Sequence, residues 1–365
     1  MNTDDYYSRV HGGWLGRVIG SHFGAPIEFF PYYELTKKYC QNGKREVKGY
    51  IEPVNPDQVN DDEIYEIIGL LALEKYGISI TSAEIAEEWA DKLYGMQYTA
   101  EKIALDNIRK SITPPDSASL ENGNIWYDAI GGQMKGDIWG LLTPGCPEMA
   151  AEYARIDGMV AHQGAGIDGE VFIATMISNA FKESRIPDLI DESLEHLPDE
   201  SIYHQFISKT VQIYENHRYW REAREKMMDE WEKVLRMLRN EASGDRKEQF
   251  LEFLPVVHVI PNAGIIVLSL LYGEDDPDDR FGRPICLSGM MGLDTDCNCG
   301  NVGAIMGTII GADKIPGSWK NPLRDTFKTY VKGHENWKIS ELAERICEMG
   351  KKILENKCPE RRIIA

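Results

Sequence analysis

The sequence predicts an all-α fold. Helical periodicity dominates its 365 residues, alternating strand patterns are scarce, and two rows of glycines recur at helical steps. Apolar residues return every three or four positions in segments 61–76, 83–94, 99–111, 169–182, 201–216, 219–240, 262–272, 300–312 and 339–355, and each is read as a helix. The best strand candidate, 45–51, is short. Loops are expected at 113–124, 143–148 and 274–284, which are rich in Pro, Gly, Ser and Asp. With no internal repeat, residues 1–365 read as a single domain. Within it, a charged helical insertion is expected near 217–248. Its apolar positions Trp220, Met227, Met228, Trp231, Val234, Leu235 and Leu238 describe one face of an amphipathic surface helix.

The first glycine row is Gly12, Gly13, Gly16, Gly20 and Gly24; the second is Gly300, Gly303, Gly307 and Gly311. An interior helix glycine costs about 0.5–1 kcal/mol relative to alanine. A whole row on one face therefore implies that another backbone comes close there, and tight helix packing suffices to explain it.

The neighbours of these rows carry the chemistry. Asn60-Asp61-Asp62-Glu63 directly precedes the apolar helix 61–76. Acids at a helix start complement its dipole and Asn60 can act as a cap, so capping is the plain reading. Asp294-Thr295-Asp296 stands directly before the second glycine row, between the apolar or small stretches 289–293 and 297–300. Two acids in so close-packed a stretch must be protonated, paired or metal-bound. Glu28 lies four and eight residues beyond Gly24 and Gly20, near the line of the first row; Pro26 bends or ends the helix there, and a surface glutamate is the alternative. Taken together, these carboxylates form a hard oxygen donor set suited to Mg²⁺, Mn²⁺ or Ca²⁺. Such a set can hold one or two ions that orient an oxygen-rich substrate and activate water.

The composition excludes other roles. There are 40 Lys plus Arg against 59 Asp plus Glu, a formal net charge of −19. That balance argues against nucleic-acid binding and against adhesion to anionic membranes. The most apolar runs, 265–271 and 305–310, are far too short to span a bilayer, and the first residues lack the order of a signal peptide. The cysteines Cys40, Cys146, Cys286, Cys297, Cys299, Cys347 and Cys358 are odd in number and scattered. They predict free thiols and a reducing cytoplasmic location.

At these residues the sequence resembles the ADP-ribosylglycohydrolase family. The family's first motif, Gly-Asp-Ala-Leu-Gly followed by Glu, reads here Gly20-Ser21-His22-Phe23-Gly24 and Glu28. Its Thr-Asp-Asp-Thr reads Asn60-Asp61-Asp62-Glu63. Its Gly-Gly-Asp-Thr-Asp-Thr reads Gly292-Leu293-Asp294-Thr295-Asp296-Cys297, followed by Gly303 to Gly311, Ile315-Pro316 and Trp319. Between them, Ala161-His162-Gln163-Gly164 and Gly166-Ile167-Asp168-Gly169-Glu170 also fit, and the likeness covers roughly residues 11 to 320.

The resemblance implies an orthogonal multi-helix bundle with a site for two Mg²⁺ ions, with Mn²⁺ as an acceptable substitute. Carried over, the metal ligands are Asn60, Asp61, Asp62, Asp294, Asp296 and Glu28. It implies hydrolysis of a ribosyl C1 N- or O-glycosidic bond in an ADP-ribosylated substrate, with Glu28, Asp62 and Asp296 as catalytic residues. His162 is expected to contact substrate or protonate the leaving group, with Asp168, Glu170 and Asp157 at the pocket rim. Three positions depart from the pattern: Asn60 and Cys297 replace threonines and Ser21 replaces an aspartate. A thiol is a poor partner for Mg²⁺. Two alternatives stay open, a nucleoside or other ribosyl-metabolite hydrolase and a non-catalytic scaffold of the same fold.

Overall fold

The computed structural model describes residues 2–39 and 47–360. In chain order the helices are α1 (Thr3–Gly24), α2 (Tyr32–Tyr39), α3 (Asp62–Tyr76), α4 (Ser82–Lys92), α5 (Thr99–Arg109), α6 (Gly131–Met134) and α7 (Asp137–Leu142). They continue with α8 (Pro147–Gly158), α9 (Ala165–Ala180), α10 (Ile186–Leu194), α11 (Ile202–Asn216), α12 (Trp220–Glu241), α13 (Gly244–Gln249) and α14 (Leu254–Val257). The last are α15 (Val259–Gly273), α16 (Gly282–Met291), α17 (Thr295–Ile310), α18 (Gly317–Lys320) and α19 (Ile339–Lys357). A small antiparallel hairpin, β1 (Thr326–Lys328) and β2 (Asn336–Lys338), precedes α19 and pairs Phe327 with Trp337. The all-α expectation holds.

The two glycine rows belong to one interface. Helices α1 and α17 run antiparallel and make the most extensive helix contact of the fold. A Cβ at Gly12 would meet the Gly307 carbonyl oxygen at 2.3 Å, one at Gly16 the Gly303 oxygen at 1.9 Å, and one at Gly20 the Cys299 oxygen at 1.9 Å. At Gly24 the obstacle is the Thr295 oxygen, at 2.2 Å. Each row is therefore the close backbone that the other anticipates. The pairing also brings the end of α1, and Glu28 beyond it, beside the start of α17. Gly16→Ala should destabilise the protein despite its better helix propensity, because the obstacle is backbone. We expect the upper end of the roughly 1–3 kcal/mol cost of overpacking, read as a lower urea midpoint at unchanged slope.

Helices α9, α15 and α17 are buried nearly throughout, as is α1 from Gly12 onward, and amphipathic helices pack around them. In α12, Trp220, Met227, Trp231 and Leu235 are buried, while Met228, Val234 and Leu238 are half-buried against the core. This helix packs on α11 and α15. Among the described residues no helix is long and apolar enough to cross a membrane.

Two expectations need correction. Residues 47–51 form no strand, and Arg45 and Glu46 lie outside the described residues, as does Cys40. The cysteines are not all free. Cys146 and Cys358 form a disulfide that ties the loop before α8 to the end of α19. They lie 212 positions apart, so no local spacing marks the pair. Cys286, Cys297, Cys299 and Cys347 are buried thiols outside this disulfide.

Candidate metal and substrate site

The acids before α3 and α17 do not serve as caps. Asp61 and Asp294 occupy the N-cap positions, yet neither side chain makes a capping hydrogen bond. Capping is instead shifted to Asn60, whose amide oxygen accepts from the Asp62 N–H at 3.0 Å. Its amide nitrogen donates to Asp296 Oδ2 at 3.2 Å and so links the start of α3 to the start of α17. The carboxylates are left to face one another.

Glu28 reaches them through an unusual pair of backbone turns. Phe29 has φ 57° and Leu293 φ 68°, both in the left-handed region, and the Phe29 N–H donates to the Leu293 carbonyl at 3.0 Å. Non-glycine residues held in this region store strain of order 1–3 kcal/mol. Here the two turns dock the chain after α1 onto the chain before α17, which sets Glu28 beside Asp294. Asn262 on α15 fixes the second loop from behind: its amide oxygen accepts from the Asp294 N–H at 3.2 Å and from Asn298 Nδ2 at 2.7 Å.

Two groups of donor atoms result. Glu28, Asp294 and Asp296 each offer an oxygen within 4.8 Å of the others, and Asp62, Asp296 and Cys297 do the same with two oxygens and a sulfur. Asp296 belongs to both. Cys297 Sγ donates to Asp62 Oδ1 at 3.1 Å. Asp294 Oδ1 is buried without a hydrogen-bond partner. Asp61 lines the same cavity but belongs to neither group. The cavity holds about 380 Å³ and is walled by Phe29, Tyr98, Glu101, Ile130, Met134, Phe253 and Val257 as well as the acids.

The electrostatics of the site favour a bound cation. Burial pushes Glu28 up to about 8, with Asp296 and Asp61 adding to it. Burial and then Asp296 bring Asp61 to about 7. Asp294 is also raised, by burial and then by Asp296 and Glu28. Arg17 on α1 is the fully buried counter-charge, 3.1 Å from Asp62, 3.3 Å from Glu66 and 3.4 Å from Asp137. One guanidinium already shared among three carboxylates leaves Glu28, Asp294 and Asp296 uncompensated. An orphaned carboxylate oxygen and a mainly hard oxygen set fit divalent Mg²⁺ or Mn²⁺. The Asp62–Asp296–Cys297 position is the less suited of the two because of its sulfur.

A pH dependence follows. An acid whose folded pKa is raised stabilises the fold fully below its unfolded value, and that contribution is lost as pH rises through the folded value. Between about pH 4 and 8, metal-free protein should lose stability from Glu28 and Asp61, and saturating Mg²⁺ should oppose that loss. Melting temperatures at pH 5 and pH 8, with and without Mg²⁺, check this. A metal-free profile that rises over this interval would contradict it.

The other candidates lie elsewhere. His162 does not line the cavity: it is fully buried behind Glu101, with Nε2 2.7 Å from Glu101 Oε1. Glu170 and Asp157 are buried partners of Lys135, each at 3.2 Å, and so are interior ion pairs, not rim residues. Asp168 is half-buried and accepts from the Ser201 hydroxyl. Asn60 stands behind the carboxylates and is absent from the cavity wall. Sequence reasoning missed Glu101, which reads as a first-turn acid of α5, and Arg17, hidden within the glycine row. It also missed the aromatic wall, whose members are distant in sequence.

Comparison with known proteins accords with the all-α fold. Among solved structures, one entitled "ADP-ribosylglycohydrolase-related protein complex" is similar in fold, with a TM-score of 0.60 at 14% identity; the match covers 95% of this chain and 99% of that one. No curated protein matches the sequence. The sequence matches the ADP-ribosylglycohydrolase family over residues 2–355, nearly its whole length, and the chain belongs to that family.

Proposed function

We propose that this protein is a divalent-metal-dependent hydrolase that cleaves the bond between ribose C1 and a nitrogen or oxygen substituent, with ADP-ribosyl adducts as substrates. The observation that carries the reading is Asp296, common to two donor groups at the floor of one cavity. When bound, the divalent ions supply a clamp for ribose hydroxyls and a water of lowered pKa. Asp62, Asp294 and Asp296 hold them. Asp61 completes the acidic floor and offers oxygens to the ribose hydroxyls. Glu28, in the same cavity wall and beside Asp294 and Asp296, would orient the attacking water and take its proton. Phe29, Tyr98 and Phe253 exclude solvent from the ring carbon, where an oxocarbenium-like charge develops beside the carboxylates.

The test is calorimetry with Mg²⁺ and ADP-ribose, followed by turnover of ADP-ribosylated arginine and serine. Metal-dependent ADP-ribose binding supports the proposal. Metal binding without ADP-ribose binding supports a second reading, hydrolysis of a nucleoside or other unphosphorylated riboside. One observation favours that second reading: among the described residues no Lys, Arg or His lines the cavity to meet a diphosphate. Absence of metal binding would overturn both and leave the scaffold.

A further inference from the structure

A departing nitrogen or oxygen needs a proton, and carboxylates engaged with a metal ion are poorly placed to give one. Two carboxyls in the cavity wall stand apart from both donor groups, Asp61 and Glu101, and of these Glu101, in the first turn of α5, is the one held against a histidine. It is buried, with Oε1 2.7 Å from His162 Nε2. The other ring nitrogen, His162 Nδ1, lies 3.2 Å from the Tyr127 carbonyl oxygen. A carbonyl oxygen only accepts, so Nδ1 carries a hydrogen. A carboxylate oxygen also only accepts, so a further proton lies between Nε2 and Oε1. The pair thus holds a proton at the cavity wall. The close seat depends on Gly131, where a Cβ would fall 2.0 Å from Glu101 Oε1.

On the hydrolase reading above, we infer that Glu101 is a further catalytic residue, the proton donor to the leaving group, with His162 as the positioning residue that holds its proton. As the C1 bond breaks, its electron pair goes to the leaving atom. The proton of the pair passes to that atom from the Glu101 carboxyl, leaving a carboxylate and a neutral imidazole. Water adds to C1, its proton goes to Glu28, and solvent returns one proton to the pair. Lys135, Asp61 and Tyr65 also face Glu101 electrostatically. Burial pushes Glu101 up, but the charge and hydrogen bond of His162, with Lys135, hold it below the usual carboxylate range.

The experiment compares Mg²⁺-loaded wild type and Glu101→Gln on two ribosides. One releases 4-nitrophenol, which departs without a proton; the other releases a simple alkyl alcohol, which does not. The expected loss in kcat is about 10²–10⁴-fold for the alkyl riboside and under about tenfold for the nitrophenyl riboside. Mg²⁺ affinity by calorimetry should be unchanged. His162→Gln should show the same split, which guards against misfolding of one variant. Equal losses on both substrates would overturn the assignment. A wild type that turns over neither compound, each offered both as the free riboside and as the ADP-riboside, would instead overturn the hydrolase reading, and this inference with it.

Discussion

Replacing Asp296 with alanine should abolish turnover, by about 10³-fold or more, equivalent to about 4 kcal/mol of transition-state stabilisation. It should do so without unfolding the chain. Asp296 is the carboxylate common to both donor groups, so its loss weakens two ion positions at once. It also raises the pKa of Glu28, Asp61, Asp62 and Asp294, which means that it repels all four in the metal-free protein. Removing it relieves that repulsion at the cost of the Asn60 amide contact and the Cys297 N–H contact. The metal-free variant should therefore melt no lower than wild type at pH 8, and Mg²⁺ should no longer raise its melting temperature. A residue kept for the fold alone would behave in the opposite way. Full activity of Asp296→Ala at saturating Mg²⁺ would remove the metal mechanism. A large drop in metal-free stability would reassign Asp296 to structure.

The parts legible in the sequence are those written in local pattern. Helices with a strong apolar period, such as α11, α12 and α19, are legible to within a few residues because one face of each meets the core. Short helices such as α6, α7 and α14 are not, since four to six residues carry little period. The glycine rows announced a close backbone, but nothing local says that each row is the partner of the other. Glu28, Asp294 and Asp296 are legible because they stand beside those rows, and Asp61 and Asp62 because they are paired acids at the start of an apolar helix; all five line one cavity. His162, Asp168 and Glu170 were chosen by motif position alone. Their side chains turn instead to Glu101, Ser201 and Lys135, partners set by tertiary packing. Glu101 itself was invisible because its meaning depends on a histidine 61 residues away. The disulfide escaped for the same reason.

Arg17→Met should be the most destabilising single change in the site, by about 3–5 kcal/mol at pH 8, a large share of the roughly 5–15 kcal/mol of a typical domain. Methionine keeps the apolar stem of arginine but removes the charge that three buried acids share. Asp62, Glu66 and Asp137 would be left without their counter-charge, with Glu63 beside them. Burial raises each of these acids and Arg17 lowers it, so without Arg17 their folded pKa values rise further. Acids raised in this way stabilise the fold while protonated and lose that contribution as pH climbs through the folded value. The deficit of Arg17→Met should accordingly be smaller at pH 5 and grow toward pH 8. Urea titrations of metal-free wild type and variant at the two pH values separate charge from shape. If the deficit is the same at both, Arg17 supports the fold by packing. If it widens with pH, the guanidinium is the fixed cation around which the acids of α3 and α7 are assembled, and Glu28, Asp294 and Asp296 are left without a counter-charge from it.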